Sequence, residues 1–231
     1  MIKHILFDLD GTLLDMDQPF FTKEYFKAIT KFSVEFGYNP QEFMEGLIAG
    51  DAAMQNNDGG LTNEQVFWQT FAKKTGRNIT ETKCFNQFYE EVFDSLSFTC
   101  KPFNGIKEDI EKLKKQGYNF VIASNPRFPL LAMVKRLHWA GLSEDMFEYI
   151  TSYETCNFSK PNPKYYSEVC DRLNYKPNEC IMIGNDLVED MSAEKMGMYV
   201  FYLDRNGKNA NIEYPNGNFN DLLSYIEKLN N

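Results

Sequence analysis

Residues 4–12 read His-Ile-Leu-Phe-Asp-Leu-Asp-Gly-Thr, and this stretch constrains the fold more than any other. A short, near-continuous apolar run is the signature of a strand buried on both faces of a parallel sheet. It ends in two aspartates one residue apart, Asp8 and Asp10, followed by Gly11 and Thr12. In open α/β sheets ligands bind beyond the carboxyl ends of the strands, so acids at that point are candidate site groups. Asp10-Gly11 alone would suit a hairpin turn. The continuation does not, because Leu13-Leu14 runs into polar, helix-rich sequence and not into a second alternating strand.

Between residues 17 and 98 the pattern is helical. Phe20, Phe21, Tyr25, Phe26, Ile29, Phe32 and Phe36 recur at three- and four-residue steps up to Gly37. A second short helix is expected over residues 40–48, then a polar, glycine-bearing loop over 50–60. Thr62-x-x-Gln65 is a capping-box pattern that opens a third helix stopping at Gly76, and a fourth is expected from about residue 80 to 93. Residues 97–105 read as a linker. From Ile106 onward helices (106–117, 130–139, 165–173, 187–196, 221–229) alternate with strands (118–123, 147–152, 180–183, 199–203). Helices between successive strands imply a parallel sheet. The expected architecture is therefore α/β: a parallel Rossmann-like sheet with helices on both faces, built from residues 1–16 and 99–231. An α-helical cap domain, residues 17–98, is inserted after the first strand. Residues 206–220, rich in Asn and Gly, are expected to be irregular surface.

Composition narrows the partners. A formal net charge of −9 argues against nucleic acid and against an anionic membrane surface. It leaves an anionic small molecule open, because a metal ion and a few local donors can decide a site. Five cysteines without a Cys-x-x-Cys pair suggest neither a disulfide framework nor a zinc site. They fit reduced, buried thiols in a cytoplasmic protein. No apolar run approaches the ~20 residues of a membrane helix, and the chain enters its first strand with no leader-like segment. Nothing in the sequence sets an oligomeric state.

Three further positions fall where the first stretch makes them meaningful. Ser124, with Asn125, closes the second expected strand. Lys160 precedes a helix. Asp186 and Asp190 follow the fourth strand, after Gly184-Asn185. Each has a structural alternative: Ser124 as a turn residue, Lys160 as a solvated turn cation, Asp186 and Asp190 as a helix cap and a first-turn acid. All of these would have to coincide in order with Asp8-x-Asp10-Gly11-Thr12. Taken together, the four stations resemble the motifs of the haloacid dehalogenase (HAD) superfamily, over the whole chain, with the insert similar to a C1-type helical cap.

The resemblance implies a phosphatase acting on a small phosphorylated metabolite with Mg2+ as cofactor. In the family the second aspartate separates phosphatases from dehalogenases. It implies Asp8 as nucleophile, Asp10 as general acid and base, and Lys160 as a cation beside Asp8. Ser124, Asn125 and Lys160 would bind the phosphoryl group, with the helix expected after Pro126 adding its N-terminal field. Asp8, the Asp10 carbonyl and Asp186 would hold the metal. Asp190, Asn185 and Thr12 would support them, Asp190 by orienting Lys160 or a metal-bound water. One departure stands out. Alignment on Gly184 makes Asn185 the metal-proximal side chain, whereas the Asp-x-x-x-Asp spacing makes it Asp186, which a hard dication favours. The 51–60 loop, and less strongly Arg127, are candidates for contact with the leaving group. His4 and His138 have no motif around them. Alternatives are a phosphomutase, a phosphonate hydrolase, which would need a cap lysine such as Lys23 or Lys27, and a non-catalytic phospho-ligand binder.

Overall fold

The computed structural model of the protein describes residues 1–78, 80, 82–205, 207 and 212–231. Strand β1 (His4–Phe7) is buried along its whole length. A tight turn follows, in which the amides of Leu13 and Leu14 both donate to the Leu9 carbonyl at 2.9 Å. The chain then enters β2 (Leu14–Met16) and the helices α1 (Gln18–Ser33), α2 (Pro40–Gln55), α3 (Asn63–Thr75) and α4 (Lys83–Gln87), with a π turn over Phe88–Val92 and a 3₁₀ stretch over Phe93–Thr99. It returns through β3 (Cys100–Pro102). The remaining elements are α5 (Ile106–Lys115), β4 (Asn119–Ile122), α6 (Leu130–Trp139), β5 (Tyr149–Ile150), α7 (Pro163–Leu173), β6 (Cys180–Gly184), β7 (Tyr199–Leu203), β8 (Asn216–Gly217) and α8 (Phe219–Asn230).

The α/β architecture is as expected. Six strands lie in the order β5-β4-β1-β6-β7-β8, with every pairing parallel. The central β1 pairs with β4 through His4 opposite Asn119 and with β6 through His4 opposite Cys180. Alternation along each strand divides the core. Ile5, Phe7, Ile122, Ile183 and Phe201 pack on one face against α5, α6 and α8. Leu6, Val121, Met182 and Val200 pack on the other against Tyr165 and Val169 of α7. Each fully buried side chain of this size contributes about 1.5–3 kcal/mol.

Several details differ from expectation. A two-stranded antiparallel ribbon, Leu14 opposite Pro102 and Met16 opposite Cys100, forms where a linker was read. Three residues per strand are too few to show a periodicity. Helix α2 runs on to Gln55, so the first half of the expected loop is helical. Gly50, read as the start of the loop, is like Gly46 a point of close approach. A Cβ on Gly46 would lie 2.8 Å from the Phe71 ring, and one on Gly50 would lie 2.5 Å from the Phe67 ring. The fourth helix is short, and its aromatic stripe stays buried as the winding changes. The expected 187–196 helix is a turn followed by a 3₁₀ stretch over Met191–Met196. In the tail, residues 206 and 208–211 lie outside those described. Beyond them the edge strand β8 and the start of α8 replace the expected irregular segment. Among the described residues no helix is long and apolar enough to cross a membrane.

Candidate active site

The four stations converge beyond the carboxyl ends of β1, β4 and β6. Asp8 follows β1, and its amide donates to the Ile183 carbonyl at 2.9 Å, which ties the turn to the neighbouring strand. Lys160, only 2% exposed, donates from Nζ to Asp8 Oδ1 at 3.1 Å and to Asp190 Oδ1 at 2.6 Å. Asp190 in turn accepts the Asp186 amide on Oδ2 at 3.0 Å. This close packing requires Gly184, because a Cβ there would collide with the Asp190 carboxylate. Thr12 Oγ1 donates to Asn185 Oδ1 at 2.9 Å and lies 3.4 Å from Asp8 Oδ2. Gly11 has φ +81°, a conformation that suits glycine, and any side chain on it would run into the Asn185 amide.

Asp8, Asp10, Ser124, Asn125, Asn185, Asp186 and Asp190 all line one cavity of about 330 Å³, with Lys160 behind Asp8. The Ser124 carbonyl is held by Tyr165 and Thr151 hydroxyls at 2.9 and 2.8 Å. Asn125 Nδ2 donates to Glu189 Oε1 at 2.9 Å. Asn185 and Asp186 separate in role. Asn185 lies against Gly11 and Thr12, whereas Asp186 is exposed and its Oδ1 accepts the amides of Val188 and Glu189 at 2.8 and 2.7 Å, capping its own turn. Helix α6 starts at Leu130, not directly after Pro126. Its first amide donates to the Glu154 carboxylate at 3.0 Å, so that end of the helix is already occupied.

Two side chains join the site without having been expected. Arg136 of α6, 1% exposed, pairs with Asp10 through Nη1 and Oδ2, and its guanidinium lies 4.5 Å over the Phe128 ring. The signal was present: Arg136 interrupts the apolar stripe of Ala132, Met133 and Leu137, and a buried cation must find a carboxylate. Glu189 is the second. Of the expected leaving-group contacts, Asp51 and Arg127 line the cavity as an ion pair, Arg127 Nε donating to Asp51 Oδ1 at 2.6 Å. Residues 56–60 do not line it. Gly59 instead accepts the Asn157 side-chain amide at 3.2 Å. His4 stacks on Tyr175 and His138 pairs with Glu144, both outside the cavity. Lys23 and Lys27 are exposed and line no part of it.

Burial sets the electrostatics. It raises the Asp10 carboxyl, with the Asp8 charge adding to the effect and Arg136 and Lys160 opposing it. It raises Asp190 to about 7 against the pull of Lys160, and it raises Glu189. Burial pushes the Lys160 ammonium down, but Asp190 and Asp8 outweigh it and hold that group well above the ordinary lysine range. No group of three or more His, Cys, Asp or Glu among the described residues is arranged to hold a metal. Mg2+ requires less, being commonly held by one or two carboxylates, waters and substrate phosphate. Two buried oxygens here, Asp10 Oδ1 and Asn125 Oδ1, have no hydrogen-bond partner. The donors are hard oxygens and the cavity carries more carboxylates than cations, so the residues present fit such an ion.

A family model described as haloacid dehalogenase-like hydrolase matches residues 5–203. The chain is 25% identical over 237 residues to a phosphoglycolate phosphatase of Haemophilus influenzae (strain 86-028NP), covering 98% of each. It is 24% identical over 196 residues to the pyrophosphatase PpaX of Bacillus mycoides (strain KBAB4), covering 85% of this chain and 80% of that protein. In fold it is similar to a 2-haloacid dehalogenase from Pseudomonas syringae pv. Tomato DC3000, with a TM-score of 0.68, 19% identity and 99% of both chains covered.

Proposed function

This chain belongs to the haloacid dehalogenase-like hydrolases, and on that premise we propose that it is a Mg2+-dependent phosphatase hydrolysing a small phosphomonoester through an aspartyl-phosphate on Asp8. The observation that carries the reading is the Asp8–Lys160–Asp190 array beside a second aspartate, Asp10, whose pKa is raised. Hydrolysis of phosphate monoesters is among the slowest uncatalysed reactions, and a covalent intermediate divides it into two easier steps. Asp8 attacks phosphorus and the ester P–O bond breaks. Asp10, whose carboxyl is raised by burial, gives a proton to the leaving oxygen. Asp10 then takes a proton from the incoming water, which attacks phosphorus, releases phosphate and regenerates Asp8. Lys160 faces the charge that develops on the transferring group.

Asp8, the Asp10 carbonyl and Asn185 would hold Mg2+, which when bound offsets the negative charge shared by carboxylates and phosphate. Asn185 replaces Asp186 in this set because Asp186 caps its own turn. Residues 17–98 act as a cap domain over a core of 1–16 and 99–231, excluding bulk water. Asp10 argues against dehalogenase chemistry, and the exposure of Lys23 and Lys27 argues against a phosphonate hydrolase working through a cap lysine.

Release of phosphate from p-nitrophenyl phosphate is the test. Activity should vanish with EDTA, return with Mg2+, and be absent in Asp8→Asn, with no phosphoenzyme trapped by rapid quench. Full turnover in metal-stripped protein, or in Asp8→Asn, overturns the reading.

A further inference from the structure

The cavity that holds Asp8 is also lined by the rings of Phe21, Tyr25, Phe67, Phe85, Tyr89 and Tyr153, each 8% exposed or less, and by Gln18 and Thr22. The cavity is small, at the lower end of the range for ligand sites. Among the described residues the cations that line it are Arg127 and Arg136, and each is already bonded to an acidic side chain, Asp51 and Asp10 respectively. The polar side chains from the same helices are neutral: Gln18, Thr22, and the Tyr25 and Tyr89 hydroxyls, which lie 2.7 Å apart. One hydrogen joins the two oxygens and the other remains to donate.

A phosphoryl group seated at Asp8 therefore leaves the rest of the ester among rings. A second anionic group there would be buried without an uncommitted cation, which is strongly unfavourable. An apolar ring in the same place gains by leaving water. We propose that the site takes phosphomonoesters whose leaving group is uncharged with a flat apolar or aromatic body, and discriminates against leaving groups that carry a second anion. This rests on the phosphatase reading above and sets the chain apart from relatives named for phosphoglycolate and pyrophosphate.

The test compares kcat/KM, with Mg2+ present, for benzyl phosphate, ethyl phosphate and 2-phosphoglycolate. All three expel an alkoxide, so the comparison reads recognition more than leaving-group chemistry. Benzyl phosphate should exceed ethyl phosphate by roughly 10- to 100-fold, and phosphoglycolate should fall below both. Asp51→Asn uncouples Arg127 and should raise the phosphoglycolate-to-ethyl phosphate ratio. Phosphoglycolate matching benzyl phosphate, equal rates for benzyl and ethyl phosphate, or a ratio unmoved by Asp51→Asn overturns the proposal. If p-nitrophenyl phosphate is turned over, those results leave the phosphatase reading standing. If it is not, both fall.

Discussion

Lys160 lies between Asp8 and Asp190 with almost no exposure, and that position decides what its removal does. Taking one partner from a buried ion pair leaves uncompensated charge and costs about 3–5 kcal/mol. Lys160→Ala should therefore lose stability by about that amount, as well as turnover by orders of magnitude. Adding Asp190→Asn to Lys160→Met removes Lys160 together with one of its two partners, leaves the Asp8 charge, and should recover part of the stability with none of the turnover, read by urea denaturation and phosphate release. Turnover returning with stability would leave Lys160 a structural role alone. Asp8, Asp10, Ser124 and Lys160 were legible because each closes or opens an element whose apolar pattern is plain. Arg136 was not, since its partner is 126 residues away and only the tertiary fold brings the two together. That Asn185 faces Thr12 while Asp186 caps its own turn was equally hidden, because it depends on which side chain satisfies the local amides.

At the scale of elements most of the alternating strands and helices were readable to within a few residues, as with β6 and β7, each a run of apolar residues five long, whereas the expected 187–196 helix was not. Helix α2 was cut short because glycine usually weakens a helix by about 1 kcal/mol relative to alanine. Here the missing side chain is what lets α2 meet α3. Gly50→Ala should thus destabilise the protein despite better helix propensity. The new methyl would overlap Phe67, itself held by Phe71, Trp68 and Phe85, and overpacking of that kind costs about 1–3 kcal/mol. Ile48→Ala, on the same helix at 55% exposure, should stay within about 0.5 kcal/mol. Thermal unfolding of the two variants decides the matter, and a stabilised Gly50→Ala would mean that the aromatic layer yields freely.

Across the whole molecule, the helical insert is fastened to the sheet layer at a place no local pattern announces. Asn63 is fully buried. Its side chain donates to the Pro126 carbonyl and to Ser159 Oγ, both at 3.1 Å, and accepts from Asn57 at 2.9 Å. Its amide donates to the Cys156 carbonyl at 2.8 Å. Asn63→Ala leaves several of these groups unsatisfied, at about 1–3 kcal/mol. Hydrogen exchange should quicken over residues 57–64 and 153–159, while the amides of β4 and β6 keep their protection. Uniform acceleration would mean that insert and sheet open as one body. The β2–β3 ribbon has its own consequence for how the chain finds this arrangement. Pairing His4 with Asn119 spans 115 residues, and closing a loop of that length carries an entropic cost. Zipping the ribbon first is itself a closure over 88 residues, but it leaves a span of roughly thirty residues for the sheet pairing, which then costs about 1 kcal/mol less. The three-residue strands are thus a clasp that moves the entropic cost of a long interruption from the parallel sheet to the ribbon.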